Sequence, residues 1–187
     1  MSDRFRILDT PLRGLKVVER MPIGDRRGYL ERLYCADEFE WFFAGKPVVQ
    51  VNRSLTRKQG TVRGMHFQRP PHSEAKLVTC LAGSVFDVAV DVRRDSQTFL
   101  HWHGEVLSAE GHRSLLIPEG FAHGFQTLEE DCQLLYLHSA NYQPGHEAGV
   151  HPQDPALAIA WPEPVAELSA RDIGHPLLGE DFDGVAT

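Results

Sequence analysis

The feature that most restricts this chain is a train of short β-segments at roughly 8–12-residue spacing. They cover residues 48–55, 61–68, 75–81, 84–92, 100–107, 113–117, 124–128 and 132–139. Their separators are turn-rich, as in Ala82-Gly83-Ser84 and in 108–112. Many short strands so spaced predict an antiparallel β-sandwich or barrel. Upstream, 15–19 and 29–34 read as strands on either side of a turn at 24–28, set by its glycines and aspartate. Phe39, Phe42 and Phe43 recur at helical spacing, which predicts one short amphipathic helix over 36–43 with its aromatics in the core. After Tyr142 the chain is Pro-rich and irregular to Trp161. Ser169-Ala170-Arg171-Asp172 then reads as a helix start, with a capping serine and an acid in the first turn.

Length and charge narrow the function. The 187 residues suit one domain, 1–187, with a sizeable core. A net charge of −7 without a basic run argues against nucleic acid or an anionic membrane as partner. No apolar run approaches the ~20 residues of a membrane span, and the N-terminus has no signal-peptide pattern. Cys35, Cys80 and Cys132 are an odd number without metal spacing and read as reduced thiols of a cytoplasmic protein.

Two residues suggest chemistry. Arg63-Gly64-Met65-His66-Phe67-Gln68 reads as a strand, Pro70-Pro71 as a loop, and Lys76-Leu77-Val78 as the next strand. His66 and Lys76 are thereby expected to face one space from neighbouring strands. A histidine titrates near neutrality and suits proton abstraction from carbon beside a carbonyl. An ammonium group can hold the charge that develops on the carbonyl oxygen. A half-buried strand histidine beside a surface lysine fits the same residues. In Phe86-Asp87-Val88-Ala89-Val90-Asp91, Asp87, Ala89 and Asp91 share one face. Either that face is solvated or Asp87 pairs with a buried cation such as Lys76, because an unpartnered buried acid is costly. Asp172 also serves as a capping residue of a helix start.

Pro118-Glu119-Gly120-Phe121-Ala122-His123 resembles the second signature of the cupins, which are jelly-roll β-barrels. In metal cupins that histidine is a ligand, joined by an H-x-H pair and a glutamate from an earlier strand. Here the earlier strand reads His66-Phe67-Gln68 and lacks the second histidine. His101-Trp102-His103 is an H-x-H, but Glu105 and Glu110 do not have the cupin spacing. A metal-dependent cupin dioxygenase or isomerase using His101, His103 and His123 is the rival reading.

Taken in order, the motifs carry a more specific likeness: Gln50-Val51-Asn52, Arg63 to Gln68, Lys76 to Val78, Phe86 to Asp91, Ile117 to Phe125, and Tyr136 with Tyr142. From about Arg27 to Asp172 the chain resembles the dTDP-4-dehydrorhamnose 3,5-epimerase family. That resemblance implies a cupin-like double-stranded β-helix barrel and a homodimer with N-terminal strands at its interface. It implies no cofactor and a nucleotide-linked 4-keto-6-deoxyhexose as substrate, epimerised at C3, C5 or both. By position, His66 matches the base, Asp172 its partner, Tyr136 the acid on the opposite face, and Lys76 the residue beside the C4 carbonyl. Arg27, Glu31, Gln50, Asn52, Arg63, Asp87, His123, Tyr142, Glu147 and Arg171 stand where substrate contacts are expected. Arg63 and His123 suit a diphosphate.

Three departures stand out. Arg32 occupies the place of a base-binding glutamate and the acid shifts to Glu31, so a donor there is expected to favour a base edge rich in acceptors, such as cytosine. Glu74 replaces a common glutamine before Lys76, and Leu137 follows Tyr136 where a lysine is usual.

Overall fold

The computed structural model describes residues 4–179 and 181–186. Its strands are β1 (Phe5–Asp9), β2 (Lys16–Arg20), β3 (Ile23–Asp25), β4 (Gly28–Leu30), β5 (Gln50–Thr56), β6 (Val62–Gln68), β7 (Lys76–Ala82), β8 (Ser84–Asp91), β9 (Trp102–Ser108), β10 (Arg113–Ile117), β11 (Phe121–Thr127), β12 (Cys132–His138) and β13 (Glu147–Gly149). Helix α1 is Ala36–Phe43 and α2 is Ala170–Ile173. A six-stranded sheet runs β1-β2-β10-β7-β12-β5, and a five-stranded sheet runs β13-β6-β11-β8-β9. The strand pairings within these two sheets are antiparallel, the arrangement of a cupin-like jelly roll.

Period-two patterning divides the apolar residues between layers. On β10, Leu115 and Ile117 point between the sheets and meet Val85, Ala89 and Phe125 of the other sheet. The residue between them, Leu116, points outward and packs with Phe39 and Phe43 of α1. Helix α1 thus covers the outer face of the six-stranded sheet. On β8, Val85 and Ala89 face inward, whereas Val88 and Val90 face Val150, Leu157 and Val185 of the irregular C-terminal run. That run lacks periodicity but covers the outer face of the five-stranded sheet.

Several expected boundaries move. The first strand, β1, pairs with β2 of the same chain, and the segment read as 29–34 keeps strand geometry only as β4. Helix α1 lies over 36–43 as its aromatic spacing predicts. His66 and Lys76 do not sit on neighbouring strands, because β6 and β7 belong to opposite sheets. They still face one space, from its two walls.

Two glycines set the aim of one wall. Gly64 of β6 has φ +135°, and a Cβ built there would lie 2.5 Å from Cα of Gly124 on β11. Only glycine permits that approach. The same strand pair shifts register between His123 and Phe125, with His123 directly opposite His66.

Candidate active site

A cavity of about 360 Å³ opens between the sheets, within the range of small-molecule sites. From the five-stranded sheet come Arg63, His66, His123 and Glu147, with Arg171 reaching over from α2. From the six-stranded sheet come Gln50, Asn52, Lys76 and Tyr136. Tyr142 lines the rim and its backbone N–H donates to Gln50 Oε1 at 3.0 Å. The two walls therefore carry different chemistry, with the His66 and His123 imidazoles on one and the Lys76 ammonium and Tyr136 phenol, beside His138, on the other.

On the imidazole wall, His66 Nε2 lies 2.6 Å from Asp172 Oδ1. Asp172 is 2% exposed, and its backbone N–H donates to Ser169 Oγ at 3.1 Å. The capping serine and the acid thus work together, fixing the carboxylate behind His66. Burial raises the Asp172 carboxyl, but bonding to His66, the cap and the Arg171 charge outweigh it and hold it below the usual carboxylate range. An ionised Asp172 favours the tautomer of His66 that carries its proton on Nε2, with the lone pair on Nδ1; Arg171 Nη2 stands 3.3 Å from that Nδ1. Arg171 Nη2 stands 3.0 Å from His66 Nε2, and Arg171 Nη1 donates to both Glu147 oxygens at 2.9 and 3.1 Å. Tyr142 OH donates to the same carboxylate at 3.2 Å.

Beside it stands a second histidine–carboxylate pair. His123 Nε2 is 2.8 Å from Asp87 Oδ1, and Asp87 is fully buried. Asp87 therefore pairs with His123, not with Lys76, and holds that imidazole from behind without lining the cavity. Its Oδ2 has no hydrogen-bond partner among the described residues.

On the opposite wall, Tyr136 OH lies 3.3 Å from Ser54 Oγ. Burial pushes its phenol far above the ordinary value, with the Asp87 charge adding to the effect. The hydroxyl is fully protonated at neutral pH. Lys76 Nζ lies 3.0 Å from Glu74 Oε1, and His138 Nδ1 lies 2.8 Å from Glu74 Oε2. Burial raises the Glu74 carboxyl, but Lys76 and His138 prevail and hold it at about 2. With Nδ1 donating to Glu74, His138 Nε2 is free to accept from Asn52 Nδ2 at 3.4 Å. The sequence signal for this cluster was period two on β12, which puts His138 on the same face as Tyr136.

Other expected residues lie elsewhere. Arg27 ion-pairs with Asp25 on the exposed β3–β4 hairpin. Glu31 accepts from Arg20 Nε at 2.8 Å and lies 2.8 Å from His112 Nδ1, outside the cavity. Arg32 ion-pairs with Glu38, so neither it nor Glu31 reaches the cavity of its own chain. Leu137 is 6% exposed and packs beneath α1, so the missing lysine changes the outer face and not the cavity.

The three histidines of the metal-cupin reading do not converge. His101 is exposed, His103 stands 3.6 Å from Glu105, and His123 is held by Asp87. Among the described residues, the grouping of three with metal-like spacing is His66, Asp172 and His175. His175 lies just past the end of α2, where its backbone N–H turns back to the Asp172 carbonyl at 3.4 Å, and its place three residues after Asp172 is the signal the sequence offers for the pairing.

Comparisons with known proteins find relatives along nearly the whole chain. The family model described as dTDP-4-dehydrorhamnose 3,5-epimerase matches residues 9–180. The dTDP-4-dehydrorhamnose 3,5-epimerase of Salmonella typhimurium is 43% identical over 176 residues, covering 93% of this chain and 96% of that protein. The structure of a dTDP-6-deoxy-D-glucose-3,5-epimerase from Legionella pneumophila, in complex with dTDP-4-keto-L-rhamnose, superposes with a TM-score of 0.90 at 38% identity, covering 98% of each chain. ChmJ, a 3'-monoepimerase from Streptomyces bikiniensis in complex with dTDP-quinovose, superposes with a TM-score of 0.82 at 35% identity, covering 89% of this chain and 85% of that one.

Proposed function

The chain belongs to the dTDP-4-dehydrorhamnose 3,5-epimerase family, and from that premise we propose that 1–187 works as one epimerase domain with His66 as its base. It is a nucleotide-sugar epimerase of deoxysugar biosynthesis, acting on a 4-keto-6-deoxyhexose at C3, C5 or both. The relatives are named for dTDP-sugars, which supports dTDP as the carrier. The observation that carries the reading is the opposition of His66 and Tyr136 on facing sheets of one cavity.

The C4 ketone acidifies the neighbouring C–H bonds. His66 Nδ1 takes the proton, and the C–H electrons move into the carbonyl to give an enolate. Asp172 stabilises the imidazolium, and Lys76 steadies the enolate oxygen. Tyr136 then gives its hydroxyl proton to the carbon from the other face. The tyrosinate recovers a proton from solvent and the imidazolium returns one, so the cycle closes without a cofactor. Arg63, His123 and Arg171 hold the diphosphate, with Gln50, Asn52, Tyr142 and Glu147 at the sugar and the rim.

Free thiols at Cys35, Cys80 and Cys132 support a reducing, cytoplasmic setting. Exposed apolar side chains on the β3–β4 hairpin support a homodimer, with Ile23 50%, Tyr29 62% and Leu30 78% exposed.

The test is turnover in D₂O of a panel of 4-keto-6-deoxyhexoses linked to dTDP, UDP, CDP and GDP, read by NMR. Deuterium should enter C3, C5 or both with inversion, at full rate in the presence of chelator. Failure to exchange either position, or a loss of rate on chelation restored by iron or zinc, would refute the reading.

A further inference from the structure

His175 is the one histidine at this corner that the epimerisation mechanism leaves without a task. Its Nε2 is buried and has no hydrogen-bond partner among the described residues. It stands 3.9 Å from Asp172 Oδ1, and the ring of His175 meets that of His66 edge-on with centroids 5.4 Å apart. The carboxylate of Asp172 thus sits between two imidazoles, one bonded to it at 2.6 Å and one not bonded. The three ligand atoms lie within 4.8 Å of one another.

We propose that His66, Asp172 and His175 form an inhibitory site for a divalent transition-metal ion of the zinc class. Two imidazoles and one carboxylate are the donor set such ions prefer. Tetrahedral ligands about 2.0–2.1 Å from zinc stand about 3.3 Å apart. The observed separations from Asp172 Oδ1, 2.6 Å to His66 and 3.9 Å to His175, bracket that value. Both separations from the carboxylate oxygen lie about 0.7 Å or less from that value, and with the three ligand atoms within 4.8 Å of one another the two imidazoles must draw together by at most about 1.5 Å, which side-chain rotations of His66 and His175 supply. The ion takes the place of the proton that His66 and Asp172 share. Arg171, 3.0 Å from His66 Nε2, opposes the incoming charge, but both oxygens of Glu147 already engage that guanidinium.

The consequence for the base is chemical and not merely steric. A neutral imidazole has one N–H and one lone pair. With the metal on Nε2, the remaining proton must reside on Nδ1, the atom that takes the substrate proton. The ion therefore converts His66 into the tautomer that cannot act as a base. Zinc would switch the enzyme off reversibly, and chelator would leave the turnover of clean protein unchanged or raise it.

The test is calorimetric titration of the full chain with Zn²⁺, together with the visible absorption of the Co²⁺ form. One equivalent should bind, and Co²⁺ should show the intense bands of tetrahedral coordination. His175→Ala should weaken binding by at least about tenfold, since loss of an outer partner alone costs that much. His175→Gln, which keeps a polar side chain of similar bulk, guards against a packing defect and should weaken it as well. In the wild type, the fraction of turnover lost should follow the fraction of site filled. Zinc binding unaltered by both His175 variants, or no binding below millimolar metal, would overturn the proposal. The binding arms need no sugar substrate, so they stand or fall apart from the epimerase reading.

Discussion

On the proposed mechanism His66 and Tyr136 act on opposite faces of the substrate, so their variants should fail differently. His66→Ala should abolish solvent-deuterium incorporation at C3 and C5, because no proton leaves carbon. Tyr136→Phe keeps the base, so exchange with retention should persist while inverted product falls by ~10²–10⁴. Asp172→Asn removes the charge behind the imidazolium and should lie between them. NMR of the recovered sugar nucleotide separates the three, and wild-type exchange in His66→Ala would remove that histidine from its role. Glu74 gives a second prediction, on stability. Its folded value of about 2 lies below the ordinary 4.5, so its contribution is complete above about pH 5 and disappears as pH falls toward 2. A shift of that size corresponds to about 3 kcal/mol. The gap in urea-unfolding free energy between wild type and Glu74→Gln should therefore narrow steadily over that window, and a constant gap would refute the assignment. These residues were legible to different degrees. His66, Lys76, Tyr136 and Asp172 stand in motifs whose order is informative. Asp87 had the right need, a buried partner, but its partner His123 lies across a strand pair, and local spacing does not reveal cross-strand neighbours. His138 and His175 carried only a periodicity, which any core residue on their faces would share.

The strands themselves were readable because alternation follows directly from a half-buried sheet. Segments such as 113–117 and 36–43 keep their expected bounds. Phe121–Thr127 begins three residues before the apolar pattern suggested, since the glycine and proline before it mark a turn more strongly than they mark where pairing resumes. The first strand was missed because β1 is an edge, with Arg6 and Ile7 exposed, and shows little contrast between its faces. Segment 29–34 leaves strand geometry after Leu30, because Glu31 turns to Arg20 and His112. The β6–β11 contact yields a prediction at this scale. Gly64→Ala must place a methyl where the backbone of Gly124 lies 2.5 Å away, at a φ of +135°. The strands would have to part, at a cost of about 3 kcal/mol or more. Because His123 faces His66 across this pair, activity should fall further than stability alone explains. Thermal melting and turnover measured below the melting transition check both effects, and a wild-type Tm would show that the two strands are not held this closely.

At the level of the molecule, the barrel class was foreseeable but the assignment of strands to sheets was not. Consecutive β6 and β7 diverge into opposite sheets, and it is this crossing that sets His66 against Lys76 and Tyr136. The irregular residues after Tyr142 give no periodic signal, yet Val150, Leu157 and Val185 close one outer face. The β3–β4 hairpin is left over by this architecture. It projects Ile23, Tyr29 and Leu30 into solvent, beside Arg27, one of the residues expected at the substrate and absent from the cavity of its own chain. A second copy covering the hairpin would remove that apolar surface from water, at about 25 cal/mol for each Å² buried. The protein should therefore sediment as a dimer at micromolar concentration. Leu30→Asp places a charge at the most exposed of the three positions and leaves the cavity lining untouched. It should shift the equilibrium toward monomer by more than tenfold while the fold, read by circular dichroism, persists. If the hairpin also completes the neighbouring cavity, KM for the sugar nucleotide should rise on dilution through the dissociation range. A wild-type monomer at micromolar concentration, or a dimer indifferent to Leu30→Asp, would place the interface elsewhere or remove it.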